Sequence, residues 1–220
     1  MRIPHVSRSA DSKTMSKAIT PSDDDLLRRM KTGDEEAFAA LYRRHQGGIY
    51  RFALLMSGSP ATADDVTQEV FMTLMAGEHR YDSARGPLAM FLYGIARNHV
   101  LRRRRWERVC DPLEEESGEG EVLIRNFAAP DDPLADIVRG EMIEAVRQAV
   151  LALPPRYREV VILCDFQELS YAEAALALDC AVGTVSSRLN RARTMLADRL
   201  RTMSRTEFRA LSAVPLKCLV

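Results

Sequence analysis

Apolar residues recur every three or four positions along most of this chain, which is the spacing of an amphipathic helix. The longest such stripe lies toward the C-terminal end and consists of Val185, Leu189, Ala192, Leu196 and Leu200. No segment alternates between apolar and polar residues over a length that would make a strand. The pattern therefore predicts an all-α protein.

The residues before that stripe predict a second, shorter helix and a tight turn. Ser170 and Glu173 have the spacing of a capping box, in which each side chain bonds the backbone amide of the other. The short helix ends near Asp179, a residue type that tolerates the left-handed turn conformation. Gly183 and Thr184 then open the longer helix. Two helices joined by such a turn form a helix-turn-helix.

The second helix of this motif has a polar face opposite its apolar stripe. Arginine side chains on such a helix can read guanine edges in the DNA major groove, and hydroxyl groups can hold phosphates. We therefore predict a DNA-binding face, with one basic residue on its flank, that consists of Thr184, Ser187, Arg188, Arg191 and Arg193. A basic, solvated helix on an ordinary helical bundle is the alternative.

Turn and capping residues mark the ends of a further set of helices in the first half of the chain. Ser22 is a suitable N-cap for the first helix, and Gly33 interrupts the chain before a long second helix. Pro60 and Pro87 suit the first positions of two later helices, and Gly77 ends the helix between them. These signals predict one compact domain of four helices.

Charge and turn composition divide the 220 residues into five segments. The acidic, Gly- and Pro-containing segment in the middle is typical of a flexible linker. The predicted fold is two small helical domains joined by that linker, the second containing the helix-turn-helix. The segments are an N-terminal disordered tail (1–21), a first domain (22–106), the acidic linker (107–136), a second domain (137–203) and a C-terminal tail (204–220).

The formal net charge is +0, but the charges are unevenly placed. A basic cluster ends the first domain, and a second basic set lies in the last helix. The acidic linker stands between them without Lys or Arg from Asp111 to Glu121. Two basic elements on either side of a linker indicate two DNA-contacting modules. The first cluster consists of Arg97, Arg102, Arg103, Arg104, Arg105 and Arg108.

Cysteine usage and hydropathy predict a cytoplasmic protein without cofactors. The four cysteines are widely spaced and form no Cys-x-x-Cys pair, so neither a zinc site nor a disulfide framework is indicated. The first 20 residues lack the apolar core of a signal peptide, and Met15 is a second candidate for the start. No apolar run approaches membrane-spanning length, so stable membrane insertion is not expected.

The run from Asp64 to Phe71 predicts a helix with an acidic outer face. Asp65, Gln68, Glu69 and Met72 lie together there, three or four positions apart, so that the acids and the amide stand beside exposed apolar groups. Such a face can grip a basic protein helix through charge pairs and hydrogen bonds. A merely solvated acidic face is one alternative. A metal site on Asp65 and Glu69 is another, and it lacks support because the four histidines form no ligand motif.

Taken together, the chain resembles the bacterial RNA polymerase sigma factors, specifically their extracytoplasmic-function group. The resemblance covers about 24–201. Each matching segment is moderately specific, and the four in this order and spacing are highly specific. They are 64–71 (DDVTQEVF), 91–98 (FLYGIARN), 153–158 (LPPRYR) and 183–193 (GTVSSRLNRAR).

The resemblance implies that the first domain binds core RNA polymerase at the clamp helices of its largest subunit. Asp64, Asp65, Gln68 and Glu69 match that contact. The same domain would recognise the minus-ten promoter element on the non-template strand, where melting needs a pocket for an extruded base and cations for the freed backbone. The matching residues are Tyr81, Asp82, Arg85, Arg97, Asn98, Arg102 and Arg103.

The second domain resembles the module that reads the minus-thirty-five element, through Thr184, Ser187, Arg188, Arg191 and Arg193. The resemblance also implies an anti-sigma protein that covers the DNA-binding faces until a signal arrives. A sigma factor of this kind is an initiation subunit without catalytic activity of its own.

Two other classes remain as alternatives. A stand-alone helix-turn-helix regulator would dimerise and bind a palindrome without polymerase. This class would not explain the acidic face at 64–71 or the first arginine cluster. A helical metalloenzyme would need a set of metal ligands that the sequence does not show.

Overall fold

The computed structural model describes residues 21–77, 81–110 and 133–202, which contain helices and connecting turns and no strand. This confirms the predicted all-α class. The predicted tails and most of the predicted linker lie outside the described residues, so the five-segment division stays a prediction. Within the described ranges, no helix combines the length and the apolarity that crossing a bilayer requires.

The first domain contains four helices, and their ends follow from the sequence. Ser22, Asp34 and Ser59 each accept a hydrogen bond from a first-turn amide, which satisfies one of the free donors there. Gly58 and Gly77 adopt the left-handed conformation that ends the second and third helices. The elements are α1 (Asp23–Lys31), α2 (Glu35–Ser57), α3 (Pro60–Ala76), a 3₁₀ turn (Ser83–Arg85) and α4 (Leu88–Cys110).

The second domain contains four helices, and the last two form the predicted helix-turn-helix. The capping box is present, because Ser170 accepts from the Glu173 amide while the Glu173 carboxylate accepts from the Ser170 amide. Asp179 is left-handed, with φ 50° and ψ 54°, which confirms the turn. The elements are α5 (Pro133–Leu151), α6 (Pro155–Val161) with a π turn (Ile162–Phe166), α7 (Tyr171–Leu178) and α8 (Val182–Thr202).

The two domains pack against each other over one continuous hydrophobic core. The Tyr93 hydroxyl of α4 donates to the Gln167 amide oxygen across this interface at 3.1 Å. The guanidinium of Arg158, buried in α6, donates to the Met56 carbonyl at the end of α2 at 2.6 Å. Burial lowers the pKa of Arg158 to about 10. This interface, which the sequence did not predict, places the predicted DNA-binding faces near each other.

Candidate protein and nucleic-acid interfaces

The first candidate surface is a groove of about 430 Å³ between α2 and α3, called here the α2–α3 groove. Asp64 and Gln68 lie on its wall, and Met72, which is 59% exposed, lies beside them. Tyr42 and Phe71 contact each other in it, with ring centroids 4.7 Å apart. The groove thus combines acceptors, an amide and exposed apolar side chains, which suits an amphipathic protein helix.

The other two residues of the predicted acidic face turn toward α4. Arg103 donates to Asp65 Oδ2 at 2.8 Å and to Glu69 Oε1 at 3.0 Å. These bonds raise the pKa of Arg103 above its usual value. A predicted polymerase contact and a predicted DNA contact therefore neutralise each other in this structure.

His99 of α4 lies beside the Arg103, Asp65 and Glu69 side chains. Its Nδ1 lies 2.6 Å from Glu69 Oε2 and 3.1 Å from the Arg102 guanidinium. Burial, assisted by Arg102 and Arg103, lowers the pKa of His99 below its usual value despite the opposing Glu69 carboxylate. Among the described residues, no group of three His, Cys, Asp or Glu side chains could hold a metal ion.

The loop matched to the base-capturing element is held by its own hydrogen bonds. Asp82 caps the 3₁₀ turn by accepting from the Ala84 amide, and Tyr81 donates to the Gly86 carbonyl at 3.0 Å. Burial and the nearby carboxylate of Asp24 raise the pKa of Tyr81 to about 12. Arg85 is exposed at the end of this turn.

Gly86, the next residue of this loop, lies against the second domain. With φ at +143°, it occupies a region that L side chains rarely adopt, and an added Cβ would lie 2.9 Å from Leu176 Cδ1 of α7. The positive φ therefore favours glycine here, and the loop lies close to the helix-turn-helix at Leu176.

The arginine run of α4 divides between two faces. Asn98, Arg102 and Arg105 are exposed, whereas Arg103 bonds the acids of α3 as described above. Trp106, one turn beyond Arg102, is also exposed. Consecutive arginines point in different directions because a helix turns by about 100° per residue. The run therefore lies partly in contact with α3 and partly exposed to solvent, where a ligand could reach it.

Arg97 of α4 and Arg188 of α8 meet at one carboxylate. Glu159, only 1% exposed, accepts from Arg97 Nε at 2.7 Å and from Arg188 Nη1 at 3.3 Å. A buried carboxylate requires such partners because burial without them is costly. The structure therefore brings together one predicted minus-ten residue and one predicted minus-thirty-five residue.

The remaining residues of the predicted α8 face differ in their contacts. Ser187 and Arg191 are exposed, and the Ser187 hydroxyl donates to the Thr184 carbonyl at 3.1 Å. Arg193 binds Asp165 through two bonds of 3.2 and 2.5 Å, which raise the pKa of Arg193. Ser187, Arg191 and Arg193 are thus exposed members of this face, and Arg193 is also ion-paired with Asp165.

Sequence reasoning missed Glu159 and Trp106 as functional candidates. The spacing around Glu159 does not distinguish a buried carboxylate from a solvated one. Trp106 had an available signal, because it follows Asn98 by eight positions, about two helical turns. Met72 was predicted on the acidic face, and the structure shows that it is exposed and lines the α2–α3 groove.

Two family models match the chain, one in each domain. Sigma-70 region 2 matches residues 41–108, and sigma-70 region 4 matches residues 143–196. The chain is also 31% identical over 201 residues to the ECF RNA polymerase sigma-E factor of Escherichia coli, covering 87% of this chain and all of that protein.

The chain belongs to the extracytoplasmic-function sigma factors. SigW of Bacillus subtilis is 30% identical over 183 residues, with 80% of this chain and 96% of that factor covered. SigM of Mycobacterium tuberculosis is 35% identical over 185 residues, with 80% and 83% covered. Family membership assigns this sigma factor its general function, promoter-specific initiation with core RNA polymerase.

Solved structures support the fold of this sigma factor. CnrH, in complex with the cytosolic domain of CnrY, matches with a TM-score of 0.60 and 24% identity over 83% of this chain and 99% of that one. The sigma factor RpoE of Bartonella quintana, in complex with the anti-sigma factor NepR, also matches with a TM-score of 0.60 and 24% identity, over 76% and 98%.

Proposed function

We propose that the α2–α3 groove is the surface through which this sigma factor binds the clamp helices of the polymerase's largest subunit. Asp64 and Gln68 would supply polar contacts, and Met72 would pack on the apolar side of the incoming helix. The observation that carries this proposal is the juxtaposition of exposed apolar and acidic groups along one groove. Asp65 and Glu69 would join the contact at its edge toward α4.

We propose further that the two domains bind the two promoter elements. Arg85, Asn98 and Arg102 are open to solvent in the first domain, as Ser187 and Arg191 are in the second. Tyr81 and Asp82 would shape the pocket for an extruded base, since their hydrogen bonds hold the loop. Because the two domains are on one chain, binding of one promoter element raises the effective concentration of the other domain at its own element, so two weak contacts together bind tightly.

Four other arginines matched to the minus-ten and minus-thirty-five elements bind carboxylates of the protein itself, which DNA would have to replace. Arg97 and Arg188 bind Glu159, Arg103 binds the acids of α3, and Arg193 binds Asp165. Phosphates can replace carboxylates at such guanidinium groups because both anions present two acceptor oxygens to the planar fork of N–H donors. These four arginines are therefore proposed to bind DNA only after rearrangement, whereas the exposed residues bind it directly.

We propose that this sigma factor acts in the cytoplasm, has no catalytic activity and is controlled by an anti-sigma protein. The similar structure of the sigma factor RpoE of Bartonella quintana, which is in complex with the anti-sigma factor NepR, supports such a partner. Its binding surface would overlap the faces proposed to contact DNA and polymerase.

Gel filtration with core RNA polymerase, followed by run-off transcription on genomic fragments, tests the proposed function. The native chain should co-elute with core enzyme and direct it to discrete start sites. Met72→Glu should lose co-elution because it buries a charge in the apolar part of the groove. Thr32→Glu adds the same charge after α1, outside the groove lining, and should co-elute normally. Binding of an inverted repeat without polymerase, and no directed start site, would favour the stand-alone regulator.

A further inference from the structure

Trp106 is the only tryptophan of the chain, and the residue is 64% exposed. Tryptophan is highly buried on average in folded proteins. At this position the ring extends from the outer surface of α4, one turn beyond the exposed Arg102. The surroundings of the ring therefore indicate what it could bind.

The helical register places Trp106 on a face with polar and basic groups. Asn98, Arg102 and Trp106 follow each other at intervals of four residues, and Arg105 lies beside them. All four are exposed, and they are called here the α4 stripe. Arg103 does not belong to it, because its guanidinium bonds Asp65 and Glu69. The α4 stripe thus combines one amide, two guanidinium groups and one indole.

This combination fits single-stranded DNA. In such complexes cationic side chains follow the phosphates while unpaired bases stack on aromatic rings. A duplex offers the same phosphates, but its bases already stack on one another. An acidic protein would satisfy the arginines without using the ring face.

We propose that Trp106 stacks on an unpaired DNA base and that Arg102 and Arg105 hold the phosphates on either side. This rests on the proposed function, because opening of the minus-ten element is what supplies an unpaired strand. Base stacking at Trp106 goes beyond the contacts assigned to the family motifs, which end before this residue. The α4 stripe is exposed while the two domains are packed together, so the free chain can be tested directly.

Because the chain has a single tryptophan, its fluorescence emission reports directly on binding at Trp106. The emission of the full-length chain is titrated with a thymine homopolymer strand and with a duplex of the same length at low salt. The single strand should quench the emission, and the duplex should change it little. Trp106→Ala should weaken single-strand affinity, read by anisotropy of a labelled strand, by about five- to a hundredfold. Trp106→Phe should retain most of the affinity, because phenylalanine keeps a stacking face.

Tyr171→Ala is the matched control, because it removes an exposed aromatic ring from α7 and should leave the affinity unchanged. Equal quenching by duplex and single strand, or native affinity in Trp106→Ala, would overturn the stacking proposal. Those results leave the proposed function intact if run-off transcription is still directed. Loss of directed transcription in the native chain would instead count against the proposed function.

A second, independent observation concerns the interface between the domains. Arg97 and Arg188 both bind the buried Glu159 carboxylate, and the loop at Gly86 lies against Leu176. Deeper in the interface, an added Cβ at Gly94 would lie 3.4 Å from the Ala177 carbonyl oxygen, so α4 and α7 approach closely. Groups proposed to bind the two promoter elements are thus held on protein partners.

Promoter DNA competes with this arrangement. A strand that uses Arg97 must replace Glu159, and access to the loop before α4 requires α7 to move from Gly86. Conversely, moving Arg97 away leaves the Glu159 carboxylate with fewer cations. We infer that the packed arrangement is a closed state of the free sigma factor and that α4 and α7 separate before both elements are bound. This inference also rests on the proposed function.

Loosening the interface should therefore increase DNA binding. Leu176 is 51% exposed and touches the loop, so Leu176→Ser weakens the interface with little change inside the second domain. The free variant should show a larger radius of gyration in X-ray scattering. Its affinity for a non-specific duplex should rise about fivefold or more, the scale of a typical coupling energy. Tyr93→Phe, which removes only the bond to Gln167, should act in the same direction.

Met75→Ser is the control, because Met75 is an exposed apolar residue of the α2–α3 groove and not of the domain interface. It should change neither the radius nor the affinity. Native values for both quantities in folded Leu176→Ser and Tyr93→Phe would overturn the closed-state inference. A larger radius with unchanged DNA affinity would also overturn it, because the interface would then cover no DNA-binding group.

Discussion

Arg97 of α4 and Arg188 of α8 bind the same carboxylate, that of Glu159 in α6. The two arginines come from different domains, and the family motifs match them to different promoter elements. Only the Arg97–Glu159 pair crosses between the domains, because Glu159 and Arg188 both belong to the second domain, and the shared carboxylate is only 1% exposed. The contact links the packing of the protein to the availability of its proposed DNA-binding groups.

Glu159→Gln tests the contribution of this buried charge. Glutamine keeps the volume and an acceptor oxygen but removes the negative charge that both arginines face. The free energy of unfolding, measured by urea denaturation, should fall by about 1–3 kcal/mol, the range for a hydrogen bond to a charged group. Glu144→Gln removes a half-exposed carboxylate that binds Arg147, and it should cost less than about 1 kcal/mol. Equal losses in the two variants would contradict the assigned importance of Glu159.

Asp65→Lys tests the edge of the proposed polymerase contact. The new cation would face Arg103 in place of the present ion pair and would repel a basic partner helix. Affinity for core polymerase, measured by competition in gel filtration, should fall by on the order of tenfold or more. Circular dichroism should show an intact helical fold. Asp25→Lys, which breaks a surface pair with Arg28, is the control and should bind normally. Native affinity in Asp65→Lys would refute the assignment.

Arg188→Ala tests base recognition by α8. If Arg188 reads a base with two hydrogen bonds, duplex promoter binding should weaken by about 1–3 kcal/mol, and discrimination should relax at one position. The affinity loss of Arg188→Ala is compared with that of Arg191→Ala, which removes an exposed guanidinium of the same helix. The measurement is duplex affinity on a promoter found by run-off transcription and on single-base variants of it. An equal loss on every sequence would identify Arg188 as a phosphate contact.

His99 predicts a pH dependence of stability. Its pKa in the folded protein lies below the ordinary 6.5, because burial and the neighbouring Arg102 and Arg103 oppose protonation more than Glu69 favours it. The stability that neutral His99 contributes is therefore fully present above 6.5 and declines as the pH falls toward the folded value. Urea midpoints across this range should fall less steeply in His99→Gln. Parallel slopes in the two proteins would contradict the lowered pKa.

Local chemistry accounts for what the sequence determined about this protein. Helical periodicity, the Ser170–Glu173 capping box and the turn at Asp179 depend on residues close in the chain, so the helix-turn-helix was predictable. The start of α1 at the N-cap Ser22 and the end of α3 at Gly77 were predictable for the same reason. The family resemblance rested on such local motifs, and the comparisons confirmed it. The assignments of individual residues to polymerase and DNA stay predictions.

Only the tertiary structure decided which side chains of those motifs are open to a ligand. Periodicity assigns a residue to a helix face, but it does not say which other helix lies against that face. Arg103 therefore binds Asp65 and Glu69, whereas Arg102, one position earlier, is exposed. Likewise, Arg97 and Arg188 are distant in the chain, and their shared contact with Glu159 exists because hydrophobic burial brings α4, α6 and α8 together.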